Sequence, residues 1–100
     1  MKRSEGNFHM ATTARTLYAD KLFKPATIAA TIDVRAKNGY RQYRVVQQLP
    51  FDLSETAAAR ALEEWLDQEQ FHYIWRETYL EHDALRPVFG FKYPELEISW

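Results

Sequence analysis

The dipeptide Asn38-Gly39 separates two runs of strand-forming residues, "IAATIDVRAK" at 28–37 and "YRQYRVVQQL" at 40–49. Asn-Gly is the pair favoured by a two-residue type I′ turn, because both central residues of that turn need a positive φ. On this reading 28–49 is a hairpin, and the turn sets its register: Lys37 faces Tyr40, Arg35 faces Gln42 and Asp33 faces Arg44. Ile32, Val34, Tyr43 and Val45 then point inward. Arg35, Lys37, Tyr40, Gln42 and Arg44 form the wet side, and Arg41 falls beside Ala36 on the apolar side, where its stem must snorkel past the sheet end.

The hairpin needs a cover, and the next segment supplies one. After Pro50, Asp52 or Ser54 can cap a helix over about 54–68, with Glu55 in capping-box position behind Asp52. Ala58, Ala61, Leu62, Trp65 and Leu66 make its apolar stripe, while Glu55, Arg60, Glu63, Glu64 and Asp67 face water. Residues 70–80 fit a helix or a strand by periodicity. The density of aromatic and β-branched side chains favours a strand, since a continuing helix would set Glu69, His72 and Arg76 on the apolar stripe. At the end of the chain Leu96, Ile98 and Trp100 alternate with Glu95, Glu97 and Ser99, which predicts a half-buried strand.

Towards the N-terminus, Ala14, Leu17, Tyr18 and Leu22 recur at helical spacing before Pro25, so a short helix of about three turns is expected there. Residues 1–10 show no sustained period and are expected as a flexible tail ahead of a single domain at 11–100. The expected fold is therefore α+β: an antiparallel sheet of three to four strands, one main helix packed on one face, and a short N-terminal helix beside it.

Charge divides the chain more sharply than its net value of −1 suggests. Residues 1–49 carry nine Lys or Arg against three acids, whereas residues 52–83 carry nine acids against two Arg. The absence of cysteine removes disulfides, thiolate chemistry and cysteine-ligated metals, and fits a reducing cytoplasm. No apolar run has the length to span a bilayer, so no membrane association is expected.

Candidate chemistry is sparse. Ser4, Ser54 and Ser99 have no nucleophile-elbow pattern around them, and Gly6, Gly39 and Gly90 are too scattered for a phosphate loop. Glu81, His82 and Asp83, with Glu77 one turn away, form the single cluster worth weighing as a metal or acid-base site, and a solvated charged turn explains it better. No enzyme activity, cofactor or bound metal is expected. The expected function is a small cytoplasmic binding or regulatory protein acting through a protein partner, in the manner of inhibitors carried by phages and mobile elements, an analogy of class without a supporting residue. The surfaces expected to carry binding are Arg35, Lys37, Tyr40 and Arg44 on the hairpin, and Glu63 and Glu64 on the helix. Nucleic-acid binding through the outer hairpin face is the alternative, weakened by Asp33 opposite Arg44. A homodimer through an uncovered sheet face or a terminal edge strand is a further option.

Overall fold

The computed structural model describes residues 2–79 and 92–100. Among these residues three helices precede or interleave a three-stranded sheet: α1 Arg3–Leu22, α2 Pro25–Lys37, β1 Gln42–Arg44, α3 Ala57–Gln68, β2 His72–Tyr79 and β3 Lys92–Ser99. The sheet is antiparallel with strand order β1-β3-β2. The α+β class, the main helix, the strand at 70–80 and the alternating terminal strand all match expectation.

The hairpin does not form. Residues 25–37 are a helix, and Asn38-Gly39 closes its C-terminus. Asn38 stays at φ −90° and only Gly39 is positive, at +90°, whereas a type I′ turn needs both positive. The Gly39 N–H donates to the Ala36 carbonyl at 3.0 Å and the Tyr40 N–H to the Arg35 carbonyl at 3.0 Å, the pair of bonds that defines a Schellman cap. Pro25, at the first helical position, starts the helix at no hydrogen-bonding cost. Ile28 and Ile32, four apart, are the buried face of this helix, and Val34, expected inward, is exposed. Ala26, Ala29, Ala30 and Ala36 supply the helix propensity that outweighs the β-branched residues.

The N-terminal helix is also longer than expected. Residues 3–10, expected as a flexible tail, are its first two turns. Of its 20 residues only Ala19 is buried, and Phe23 just beyond it enters the core.

The core gathers Ala19, Phe23, Ile28, Ile32, Leu53, Ala59, Leu62 and Leu66 against Val45, Leu96 and Ile98 of the sheet. Helix α3 supplies Ala59, Leu62 and Leu66, so its buried face is rotated from the expected stripe: Ala59 is in and Ala61 is out. Its N-cap is Thr56, whose hydroxyl accepts from the Ala59 N–H at 3.2 Å. Asp52, one of the expected caps, instead accepts from the Ser54 N–H in a local turn. Around the aromatic rim Phe23 meets Trp75 edge-on, and Phe71 touches both Trp65 and Trp100.

The terminal strand β3 is the centre of the sheet and not an edge, which removes it as a dimerisation edge. Its Pro94 decides where β1 stops. The Val45 N–H donates to the Leu96 carbonyl at 2.9 Å, and the next bond in that ladder would require an N–H from Pro94, which has none. The side chains flanking Pro94 take over: Glu95 Oε2 accepts from the Gln47 N–H at 3.3 Å, and the Tyr93 hydroxyl lies 3.5 Å from the Gln47 carbonyl.

Candidate functional site

The sequence-predicted residues separate into three places. Arg35 and Lys37 sit in the last turn of α2 and Tyr40 lies just past its cap, so these three stay together although no hairpin carries them. Arg44 leaves the group. It lies on β1 with its Nε 2.9 Å from Glu95 Oε1, an ion pair on the sheet face away from the core, and is part of the structural framework. Glu63 and Glu64 lie on the middle of α3, half-buried and exposed respectively.

At the end of α2 the Arg35 guanidinium stands 5.4 Å from the Tyr40 ring centroid and 5.8 Å from that of Tyr43. One cation thus engages two aromatic faces. The α2 macrodipole ends here with its negative pole, which favours Arg35 and Lys37 in the final turn. Among the described residues no carboxylate pairs with either cation. Tyr43, an inward residue on the hairpin reading, becomes the fourth member of this patch; its phenol is pushed up by burial, opposed by the Arg35 charge and a Thr31 hydrogen bond. The patch is therefore Arg35 and Lys37 with Tyr40 exposed beside them and Tyr43 as its half-buried floor.

The acidic surface of α3 is ordered differently. Glu63 and Asp67 are one turn apart, and the Tyr73 hydroxyl of β2 is 3.4 Å from Asp67 Oδ2. Burial raises the Tyr73 pKa first, and the Asp67 and Glu63 carboxylates raise it further. Arg60 is committed to Glu55 at 2.9 Å. Glu63, Glu64 and Asp67 have no cationic partner among the described residues.

Sequence reasoning missed the most buried polar cluster. Glu95 was expected to face water and is 2% exposed, as is Gln47. The Glu95 carboxylate receives the Tyr93 hydroxyl at 3.1 Å, the Gln47 N–H and the Arg44 charge. Gln47 Nε2 in turn donates to the carbonyls of Leu49 and Phe51, while its Oε1 is buried without a partner among the described residues. The available signal was Pro94 itself, because a proline inside a strand-like alternation demands substitute hydrogen bonds from its neighbours. On the same face Arg76 stands opposite Glu95 and pairs diagonally with Glu97 at 2.8 Å. Arg44 stands opposite Glu97 and pairs diagonally with Glu95, so two crossed ion pairs hold three strands in register.

Glu81, His82 and Asp83 lie outside the described residues. Among those described, no three His, Asp or Glu side chains gather where they could hold a metal ion, and no helix is long and apolar enough to cross a membrane. Comparison with protein-family models, with curated proteins and with solved structures finds no match to this chain.

Proposed function

We propose that the protein is a small, non-enzymatic binding or regulatory protein of the cytoplasm, which acts by docking the end of α2 on an acidic surface of a protein partner. The observation that carries this reading is Arg35 held between Tyr40 and Tyr43, with Lys37 beside it and no carboxylate pairing with either cation among the described residues. Arginine pre-positioned against aromatic rings loses little side-chain entropy on meeting a carboxylate, and Arg with Tyr is the composition of interface hot spots. The rings also argue for a protein over a nucleic acid. Each already gives a face to Arg35, and Tyr43 is half-buried, so neither is laid out as the open stacking platform that single strands use.

The test compares two double charge reversals in affinity capture from the host. Arg35→Glu with Lys37→Glu is expected to lose a specific protein partner while the fold is kept, and Glu63→Lys with Glu64→Lys is expected to retain it. Arg44 is not a suitable probe, because its reversal would break the Glu95 pair and confound binding with stability. Capture that survives reversal of Arg35 and Lys37 contradicts the reading. Binding to oligonucleotides that falls steeply with salt and depends on these same two cations would replace it with nucleic-acid recognition.

A further inference from the structure

The dipeptide that ends α2 is also a chemically reactive pair. Asparagine is thermolabile because the next residue's backbone nitrogen can attack its side-chain amide, and a following glycine presents no side chain to obstruct that attack. The chain has two asparagines: Asn7 is followed by the bulky Phe8 within α1, and Asn38 is followed by Gly39. Asn38 and Gly39 are both exposed, and a Cβ placed on Gly39 would meet nothing within 4 Å. Water and base therefore reach the pair.

The folded chain holds the reaction off. Cyclisation needs a free Gly39 nitrogen turned towards the Asn38 side chain. The Gly39 N–H is instead committed to the Ala36 carbonyl at 3.0 Å, and at ψ 8° the Asn38 backbone turns that nitrogen away from its own Cβ. The Tyr40 N–H, bound to the Arg35 carbonyl at 3.0 Å, closes the same cap and keeps the Tyr40 ring beside the Arg35 guanidinium. One backbone motif thus blocks the chemistry and builds the patch.

We propose that Asn38 is a deamidation site latched by the α2 cap, and that its conversion takes the Arg35–Tyr40 pair apart. When the end of α2 frays, base removes the Gly39 amide proton and the nitrogen attacks Asn38 Cγ. A C–N bond forms, the bond to the side-chain nitrogen breaks, and ammonia leaves with a proton taken from water. Water then opens the five-membered imide. Breaking its Cγ–N bond gives aspartate; breaking the bond between the backbone carbonyl carbon and the Gly39 nitrogen gives isoaspartate, whose main chain is one methylene longer. The longer link cannot reproduce the two cap bonds. Either product sets a carboxylate at the negative pole of α2, one turn from Arg35 and next to Lys37, where it opposes the dipole and competes for both cations. The consequence for partner docking rests on the function proposed above; the chemistry and the fate of the cap do not.

Ageing the full chain at mildly alkaline pH, followed by peptide mass spectrometry and amide exchange, tests the proposal. Asn38 should convert at least about tenfold more slowly in the folded chain than in a denaturing concentration of urea, where Asn7 should lag behind it. Ile32→Ala, which loosens the packing of α2 without touching the dipeptide, should speed conversion in the folded chain. The separated isoaspartate form should lose protection at the Gly39 and Tyr40 amides while residues 57–68 keep theirs. Equal rates in folded and unfolded chains, a rate indifferent to Ile32→Ala, or a converted chain that keeps both amides protected would each overturn the proposal. A fresh chain that captures no partner would tell against the proposed function alone, because mass and exchange still decide the fate of Asn38.

Discussion

Helix α3 sinks three of its 12 residues, Ala59, Leu62 and Leu66, into the core and has its first turn closed by the Thr56 hydroxyl. Helix α1, with 20 residues, buries Ala19 alone and begins at Lys2 without a side-chain cap. The two helices touch, yet one is anchored by burial along its length and the other, among the described residues, by its C-terminal end. The difference shows that helix content and domain stability are separate quantities here: tertiary burial accounts for α3, whereas α1 adds helix with little burial among the described residues.

The comparison can be broken most severely in the core. Leu62→Ala should lower the unfolding free energy by about 2–5 kcal/mol. The matching change in α1, Leu17→Ala, removes an exposed side chain and should move the unfolding free energy by no more than about 0.5 kcal/mol. Denaturant titration of both variants at one low concentration checks the contrast. A loss of several kcal/mol from Leu17→Ala would mean that α1 belongs to the body.

The Pro94 clasp offers the next largest effect. Glu95→Ala leaves the buried Gln47 N–H without its acceptor and removes the Arg44–Glu95 ion pair, and should cost about 1–3 kcal/mol. Arg76→Ala removes the more exposed of the crossed pairs and should cost less than about 1 kcal/mol. Equal losses would show that the clasp contributes no more than a surface ion pair.

Capping sharpens the contrast on a smaller scale. Thr56→Ala should destabilise the protein by about 1 kcal/mol, because it removes the acceptor for the Ala59 N–H. Lys2→Ala has no cap bond to remove and should have no measurable effect on unfolding.

The smallest effect is a titration. Burial first, and then Asp67 and Glu63, raise the Tyr73 pKa above its unfolded value of about 10. The folded state therefore keeps the phenol proton longer than the unfolded chain. The resulting stability is fully present below about pH 10 and is lost as pH rises through the folded pKa. Asp67→Asn should bring tyrosinate absorbance in at lower pH while acid stability linked to Tyr73 stays unchanged.

Much of this architecture was legible in the residues. Strand β2 could be read from Phe71, Tyr73 and Trp75, strand β3 from Leu96 and Ile98, and α3 from Leu62 and Leu66, because local pattern and tertiary burial agree there. Asn38-Gly39 was ambiguous for a physical reason: a glycine with positive φ serves a Schellman cap as well as a type I′ turn. The decision lay in Pro25 and the Ile28–Ile32 spacing. Position 95 was read from alternation alone, which cannot see that β3 is the central strand with the Gln47 segment laid against it. In the candidate site Arg35, Lys37 and Tyr40 survived the change of fold because they are adjacent in sequence. Arg44 was lost and Tyr43 gained because that choice depended on which face of β1 meets the core.

Amide hydrogen exchange tests most directly the claim that tertiary burial holds α3 while the first four turns of α1 lie outside the core. Residues 57–68 should show the strongest protection, and residues 3–17 should exchange much faster. Residues 3–17 protected as strongly as 57–68 would contradict the account.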